Sequence, residues 1–269
     1  MPDPTPSRTS LPLHAVTTPG DELPYVLLHG VFMDLSLWDD VLPHVGGAPT
    51  VRLDLPSHGA SPDMARGATL DDHVRTVADT LDGLGIEAAV IVGHSWGGMI
   101  GLRLAHLRPD LVRGLVLSNT PLLRLHGRGR IGFAVQRMLL AAGLPPRVYG
   151  RLAAGALFGE PYRSAHAEAS TALADRAARM GRRRLRETLR SVLLDPSDAR
   201  ALTRGLSVPW AAIAGSDDYV LADGVRAELA ETAHLTVVRG GHTTPREDPA
   251  AVADVARRVH AAASTKVTI

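Results

Sequence analysis

The chain has 269 residues, of which 45% are hydrophobic, 21% charged and 4% aromatic, with no cysteine. That length can bury a large core without staples, and the missing thiols exclude disulfides, thiolate metal sites and a cysteine nucleophile. A net charge of +1 argues against a general nucleic-acid binder, whose domain would be distinctly basic.

The first 24 residues are rich in Pro, Thr and Ser and predict a loosely ordered leader with at most one short strand near Leu11 to Val16. Prolines stand where a signal peptide would be apolar, and no apolar run nears the ~18 to 20 residues of a membrane span. A soluble, cytoplasmic protein without membrane partners is therefore expected. From Tyr25 onward short aliphatic runs alternate with helix-length stretches. Strands are predicted at 25–28, 50–55, 88–93, 111–119, 208–215 and 234–240, and helices at 36–44, 69–84, 97–107, 223–231 and 248–263. Such alternation is the signature of a parallel sheet covered on both faces, an α/β fold.

The interval from 121 to 205 breaks the rhythm. A structureless loop of that length is not expected in a compact domain, so it reads as an inserted helical unit. It holds 16 Arg and six acids, against 13 Lys+Arg and 22 acids elsewhere. Opposite signs suggest separate structural units, with a core at 25–120 and 206–269 and the insertion at 121–205. In GRRRLRETLR, leucines at 185 and 189 keep helical spacing.

The chemistry concentrates in AAVIVGHSWGGMIGLRLA, residues 88–105. A buried-looking strand enters Gly93-His94-Ser95-Trp96-Gly97 and a helix follows at once, the context of a nucleophile elbow. Glycines suit it because the turn is sharp and the neighbouring chain lies close. The serine hydroxyl then sits at a helix N-terminus, where backbone N–H groups favour developing negative charge. A bare turn before a helix is the simpler alternative. Phosphate-binding glycine motifs are absent.

Serine needs a base oriented by a carboxylate. Where the order is nucleophile, acid, histidine, the candidates are His234, His242 and His260. His242 follows Gly240-Gly241 just past a strand, where ligand-facing loops lie. The acid loop GSDD offers Asp217 and Asp218, and spacing does not choose between them. Asn119, ending an earlier strand, is not a carboxylate, which leaves that alternative acid position vacant. For the oxyanion, the turn His29-Gly30-Val31-Phe32 can present the Val31 N–H beside that of Trp96, each such donor being worth ~3 to 4 kcal/mol. His29 itself reads as a packing residue of that turn.

Together HGVFMDLSLW, DLPSHGAS, GHSWGG, GSDD and GGH, in this order and with a helical insertion before the fourth, resemble the α/β-hydrolase superfamily. The resemblance spans about Tyr25 to Ala263 and implies the α/β-hydrolase fold with a helical cap at 121–205. It selects Asp218 over Asp217, and implies Ser95 as nucleophile, His242 as base, and Val31 and Trp96 as oxyanion donors. His58-Gly59 matches a structural turn of the family. HGVFMDLSLWDDVLPHV and LVLSNTPL are also similar to segments of enol-lactonases of aromatic-acid breakdown.

The activity implied is cofactor-independent and metal-free hydrolysis of a carboxylic ester, lactone or thioester through an acyl-enzyme. Two other uses of the fold stay open: C–C bond hydrolysis, acyl transfer or a lyase or cyclase step by the same residues, and ligand binding without turnover. The Arg-rich insertion could draw an anionic substrate, or its arginines could form solvated, ion-paired faces. Leu122, Leu123, Phe133, Met138, Leu139, Leu157 and Phe158 could line an apolar pocket or pack the insertion itself.

Overall fold

A computed structural model describes residues 12–124, 127–221, 226, 229–230 and 234–265. Among them are seven strands: β1 (Ala15–Thr18), β2 (Tyr25–Leu28), β3 (Thr50–Leu53), β4 (Ala89–His94), β5 (Val112–Ser118), β6 (Trp210–Gly215) and β7 (Leu235–Val238). They form one sheet in the order β1-β3-β2-β4-β5-β6-β7, parallel throughout except for β1, which pairs antiparallel with β3. The expected short N-terminal strand thus exists, but at 15–18. Thr18 anchors its edge by exchanging hydrogen bonds with Thr50.

Both faces of the central strands are covered, which is why YVLL and AVIVGH are buried at every position and carry no polar alternation. Ile91 and Leu115 lie against α2 (Trp96–Leu107) at Gly101, whereas Val90 and Gly114 lie beside Val259 of the C-terminal helix. Neighbouring residues of a strand point to opposite faces, so one aliphatic run serves two helix layers. Helix α1 (Leu70–Gly83) packs on α2 and starts at a capping box in which Thr69 and Asp72 satisfy each other's backbone N–H groups.

The stretch expected as a helix over 36–44 is instead two single 3-10 turns, Leu35–Trp38 and Leu42–His44. Asp34 caps the first by accepting from the Ser36 amide, and Pro43 occupies the start of the second, where its missing N–H forbids one continuous ladder. The helix expected over 223–231 lies largely outside the described residues.

Between β5 and β6 the chain forms α3 (Gly127–Ala141), α4 (Pro146–Leu157), α5 (Glu160–Ala165), α6 (Ala167–Thr188), a π-helical turn (Leu189–Leu194) and α7 (Arg200–Arg204). Helix α6 is broken at Gly181, which adopts φ 73° and ψ 167°. Leu185 and Leu189 beyond the break are buried, as their helical spacing requires. Arg176 ties α6 to the core, donating to Asp34 from Nε at 2.6 Å and from Nη2 at 3.2 Å, and to Ser36 Oγ at 2.8 Å. The chain closes with α8 (Thr244–Glu247) and α9 (Pro249–Thr265). Among the described residues no helix is long and apolar enough to cross a membrane.

Candidate active site

Strand order reverses between β2 and β4, so the loops leaving their C-terminal ends diverge and open a crevice. Both loops carry predicted site residues. After β4 the chain turns through Ser95 at φ 50° and ψ −110°, a conformation that costs a non-glycine residue about 1 to 3 kcal/mol. Its neighbours hold it there. The Ser95 amide donates to the Ser118 carbonyl at 2.8 Å, and that of Gly97 to the His29 carbonyl at 3.1 Å. A Cβ at Gly97 would fall on the Leu28 carbonyl, so the helix approaches β2 only without a side chain there.

His242 lies beyond β7 and reaches back to this turn. Its Nε2 stands 3.0 Å from Ser95 Oγ, and its Nδ1 stands 2.9 and 3.0 Å from the two oxygens of Asp218. A carboxylate can only accept, so Nδ1 carries the proton and Nε2 presents a lone pair to the serine hydroxyl. All three residues are buried. Asp217, by contrast, is exposed, and its amide donates to Gly240 O. His234 stacks on Trp210, and His260 donates to the Leu23 carbonyl, both away from this cluster.

Asp218 is satisfied on every side. Oδ1 accepts from the amides of Val220 (2.9 Å) and Leu221 (3.1 Å), and Oδ2 accepts from Asn119 Nδ2 at 2.8 Å. Burial pushes its carboxyl pKa up, but His242, Asn119 and the Leu221 amide outweigh that and hold it at about 2. Asn119 sits at φ 49° at the end of β5. Its side-chain oxygen accepts from Thr244 Oγ1 at 2.5 Å and Ser118 Oγ at 3.2 Å, and its nitrogen also reaches Gly241 O at 3.3 Å. Sequence reasoning discounted Asn119 for lacking a charge. The signal available was an asparagine where a strand ends, a residue that tolerates the left-handed region and carries both donors and an acceptor.

His94 is a second residue that motif reading passed over. Its Nε2–H donates to the His242 carbonyl at 2.8 Å, pinning the loop that carries the imidazole. Burial, then the adjacent His242, lower its pKa to about 3, so the ring is neutral. Its Nδ1 has no hydrogen-bond partner among the described residues and faces Gly30, where an added Cβ would come within 2.5 Å.

The turn after β2 lies directly against the serine, since a Cβ at Gly30 would also stand 3.3 Å from Ser95 Cβ. His29 shapes the turn, donating from Nδ1 to Gly30 O at 2.7 Å and accepting at Nε2 from the Leu55 amide at 2.9 Å. His58 does likewise, accepting from the Phe32 amide at 3.1 Å and donating to Pro56 O. Burial lowers the pKa of both rings, that of His58 to about 3. The Val31 amide has no protein acceptor among the described residues, and the Trp96 amide, as the first of α2, has none within the helix. The Trp96 indole is fully buried beside His58 and His73.

Two clefts open between this turn and α6, separated by the Arg176–Asp34 pair. One of about 190 Å³ is lined by Met33, Leu37, Phe158, Tyr162, Glu168 and Arg246 among others. The second, about 160 Å³, is lined by Phe32, Met33, Ser57, His58, Arg179 and Arg184 among others. Of the apolar candidates in the insertion, Phe158 faces a cleft, Leu122 is buried, and Met138 and Leu139 are 61% and 46% exposed. No cluster of side chains among the described residues could hold a metal ion.

Comparisons with known proteins place the fold in a family. A family model described as the alpha/beta hydrolase fold matches residues 24–245. Lipase LipV of Mycobacterium tuberculosis is 38% identical over 112 residues, 42% of each chain. The pimeloyl-[acyl-carrier protein] methyl ester esterase of Nitrosomonas europaea is 37% identical over 111 residues, 40% of this chain and 42% of that one. The matches thus span about two fifths of these curated relatives' length. Among solved structures, the enol-lactonase of Burkholderia xenovorans LB400 superposes with a TM-score of 0.81 at 21% identity, over 92% of this chain and 95% of that one. Since the family model covers residues 24–245, well over half of the chain, this chain belongs to the alpha/beta hydrolase family.

Proposed function

We propose that the protein is a serine hydrolase of carboxylic esters, lactones or thioesters, working through an acyl-enzyme without a cofactor. The observation that carries this reading is the continuous buried relay from Ser95 Oγ through His242 to Asp218, every link at 2.9 to 3.0 Å. The names of the relatives, a lipase and a methyl ester esterase among them, support the same class.

Ser95 Oγ attacks the substrate carbonyl carbon while its proton passes to His242 Nε2. The imidazolium that forms is stabilised by Asp218, whose carboxylate already holds Nδ1–H. The carbonyl oxygen becomes an oxyanion and takes hydrogen bonds from the amides of Val31 and Trp96, which need no reorganisation to receive it. Collapse of the tetrahedral intermediate breaks the bond to the leaving group, which takes the proton from His242. Water then enters, loses its proton to the same nitrogen and attacks the acyl carbon, and Ser95 is regenerated with its proton returned. The helices of 121–205 act as a cap, with Arg176 fastening α6 beside the oxyanion turn.

A fluorophosphonate probe tests the core of this reading. It should add one phosphonyl group to the native protein, at Ser95, and none to Ser95→Ala. An unlabelled native protein, or equal labelling of the variant, would overturn it. A panel of 4-nitrophenyl esters, aromatic lactones and acyl thioesters then ranks the substrates.

A further inference from the structure

The two clefts beside the oxyanion turn differ in charge. The larger is balanced, with Arg176 and Arg246 against Asp34 and Glu168. The smaller is lined by Arg176, Arg179 and Arg184 against Asp34 alone. The counter-ions do not remove this excess. Asp34 is engaged by Arg176 and Ser36, and the Arg176 guanidinium, with burial opposing it, holds the Asp34 carboxyl well below its usual pKa. Asp63 outside the cleft is shared by Arg183 and Arg184. Arg179 has no polar partner among the described residues. His58, with both nitrogens occupied and its pKa held at about 3, adds no charge near neutral pH.

We propose that this cleft binds a carboxylate borne by the substrate, so that the preferred ester is an anionic one, with Arg179 as the residue that selects it. The proposal rests on the serine-hydrolase reading for its connection to turnover, and on the following geometry for its reach. Gly30 packs on Ser95 and Phe32, two residues further on, lines the cleft, so the cleft wall begins at most ~8 Å of backbone from the residue that touches the serine. A short dicarboxylate monoester together with the reach of an arginine side chain covers a separation of that order. Guanidiniums facing a walled cleft concentrate an anion there, and an unpaired one can bind a carboxylate through two parallel N–H groups.

The test compares kcat/KM for 4-nitrophenyl hydrogen glutarate with 4-nitrophenyl hexanoate, and for 4-carboxyphenyl hexanoate with phenyl hexanoate. The first pair places the charge on the acyl side and the second on the leaving-group side. In the native enzyme at least one anionic ester should exceed its neutral partner by about fivefold or more, and added salt should shrink that ratio. Arg179→Ala should collapse the ratio and Arg179→Glu should invert it. Arg151→Glu, a charge change at an exposed position of α4, should leave it in place. Ratios at or below one in both pairs, or an unaltered ratio in Arg179→Glu, would overturn the proposal. Glutarate binding to Ser95→Ala by calorimetry, weakened at least fivefold by adding Arg179→Glu, reads the cleft without turnover. If the phosphonate spares Ser95 yet glutarate still binds through Arg179, the chemistry is wrong and the anion site stands; labelled Ser95 with no anion preference is the reverse.

Discussion

Asn119→Asp is an informative single change in this protein, because it keeps shape and replaces a donor by a carboxyl group 2.8 Å from the Asp218 carboxylate. Asp also tolerates the left-handed backbone of position 119, where φ is 49°. Two outcomes compete. Ionising both carboxylates costs roughly 6 kcal/mol at an effective dielectric of about 20. Keeping one proton on the pair at pH 7 costs about 4 kcal/mol, from a reference pKa of ~3.9. Protonation is the cheaper route, so the variant should hold one proton up to about pH 8.

The sign follows from linkage. A carboxyl whose folded pKa is raised keeps its full stability below the unfolded value and loses it as pH rises toward the folded value. Native Asp218, held at about 2, is already ionised across this range and adds no slope. Relative to the native protein, Asn119→Asp should therefore lose about 1.4 kcal/mol per pH unit between pH 5 and 8, or about 3 to 5 °C of Tm per unit for a chain of this size. Thermal melts of both proteins at half-unit intervals measure it. A Tm difference that stays flat with pH would refute the reasoning, since the side chain at 119 would then be able to turn away from Asp218.

Gly30→Ala should destabilise the fold by about 1 to 3 kcal/mol and depress ester turnover, because the new methyl would stand 2.5 Å from His94 Nδ1 and push that ring off the His242 carbonyl; a Tm within 1 °C of native would count against it. Ser95→Gly should melt above Ser95→Ala by the equivalent of about 1 kcal/mol, since glycine relieves the φ 50°, ψ −110° strain that alanine keeps; the reverse order would show that the turn is not strained. His58, His73 and His94, with pKa values lowered by burial to about 3, 4 and 3, make stability complete above the unfolded value of ~6.5 and shrink it as pH falls toward 4. With His29 lowered by burial as well, unfolding near pH 5 should accordingly take up at least about three protons, read from the slope of stability against pH, and a flat profile from pH 6.5 to 4.5 would exclude neutral buried rings.

The parallel strands were legible in the chain because residues buried on two faces cannot alternate with polar ones, so YVLL and AVIVGH read as continuous aliphatic runs. The turn at Ser95 was legible for a similar reason, as Gly97 has no alternative against the Leu28 carbonyl. Where local signals competed, the reading slipped. Ser36 to His44 has helical spacing, yet the Asp34 cap and Pro43 divide it into two 3-10 turns. Gly181 breaks a helix whose flanking arginines and leucines continue the pattern unbroken, and nothing stands within 4 Å of the position its Cβ would take. The break is a backbone choice that composition does not announce.

What was least legible depends on partners far along the chain. The charge of Arg176 has one meaning on a solvated helix and another beside Asp34, 142 residues away, where it is neutralised and divides two clefts. Most arginines of the insertion with visible partners follow the solvated, paired reading, as Arg147 does with Asp175 and Arg190 with Glu187 and Asp195. The exception matters because it is identified by subtraction: only after each pair among the described residues is assigned does Arg179 remain beside the cleft without one. Asn119 is the mirror case. It lacks a charge, so it drops out of any search for acids and bases, yet it supplies the donor that completes Asp218. Residue type tells which groups can do chemistry, and the neighbours brought by the fold decide which of them are free to do it.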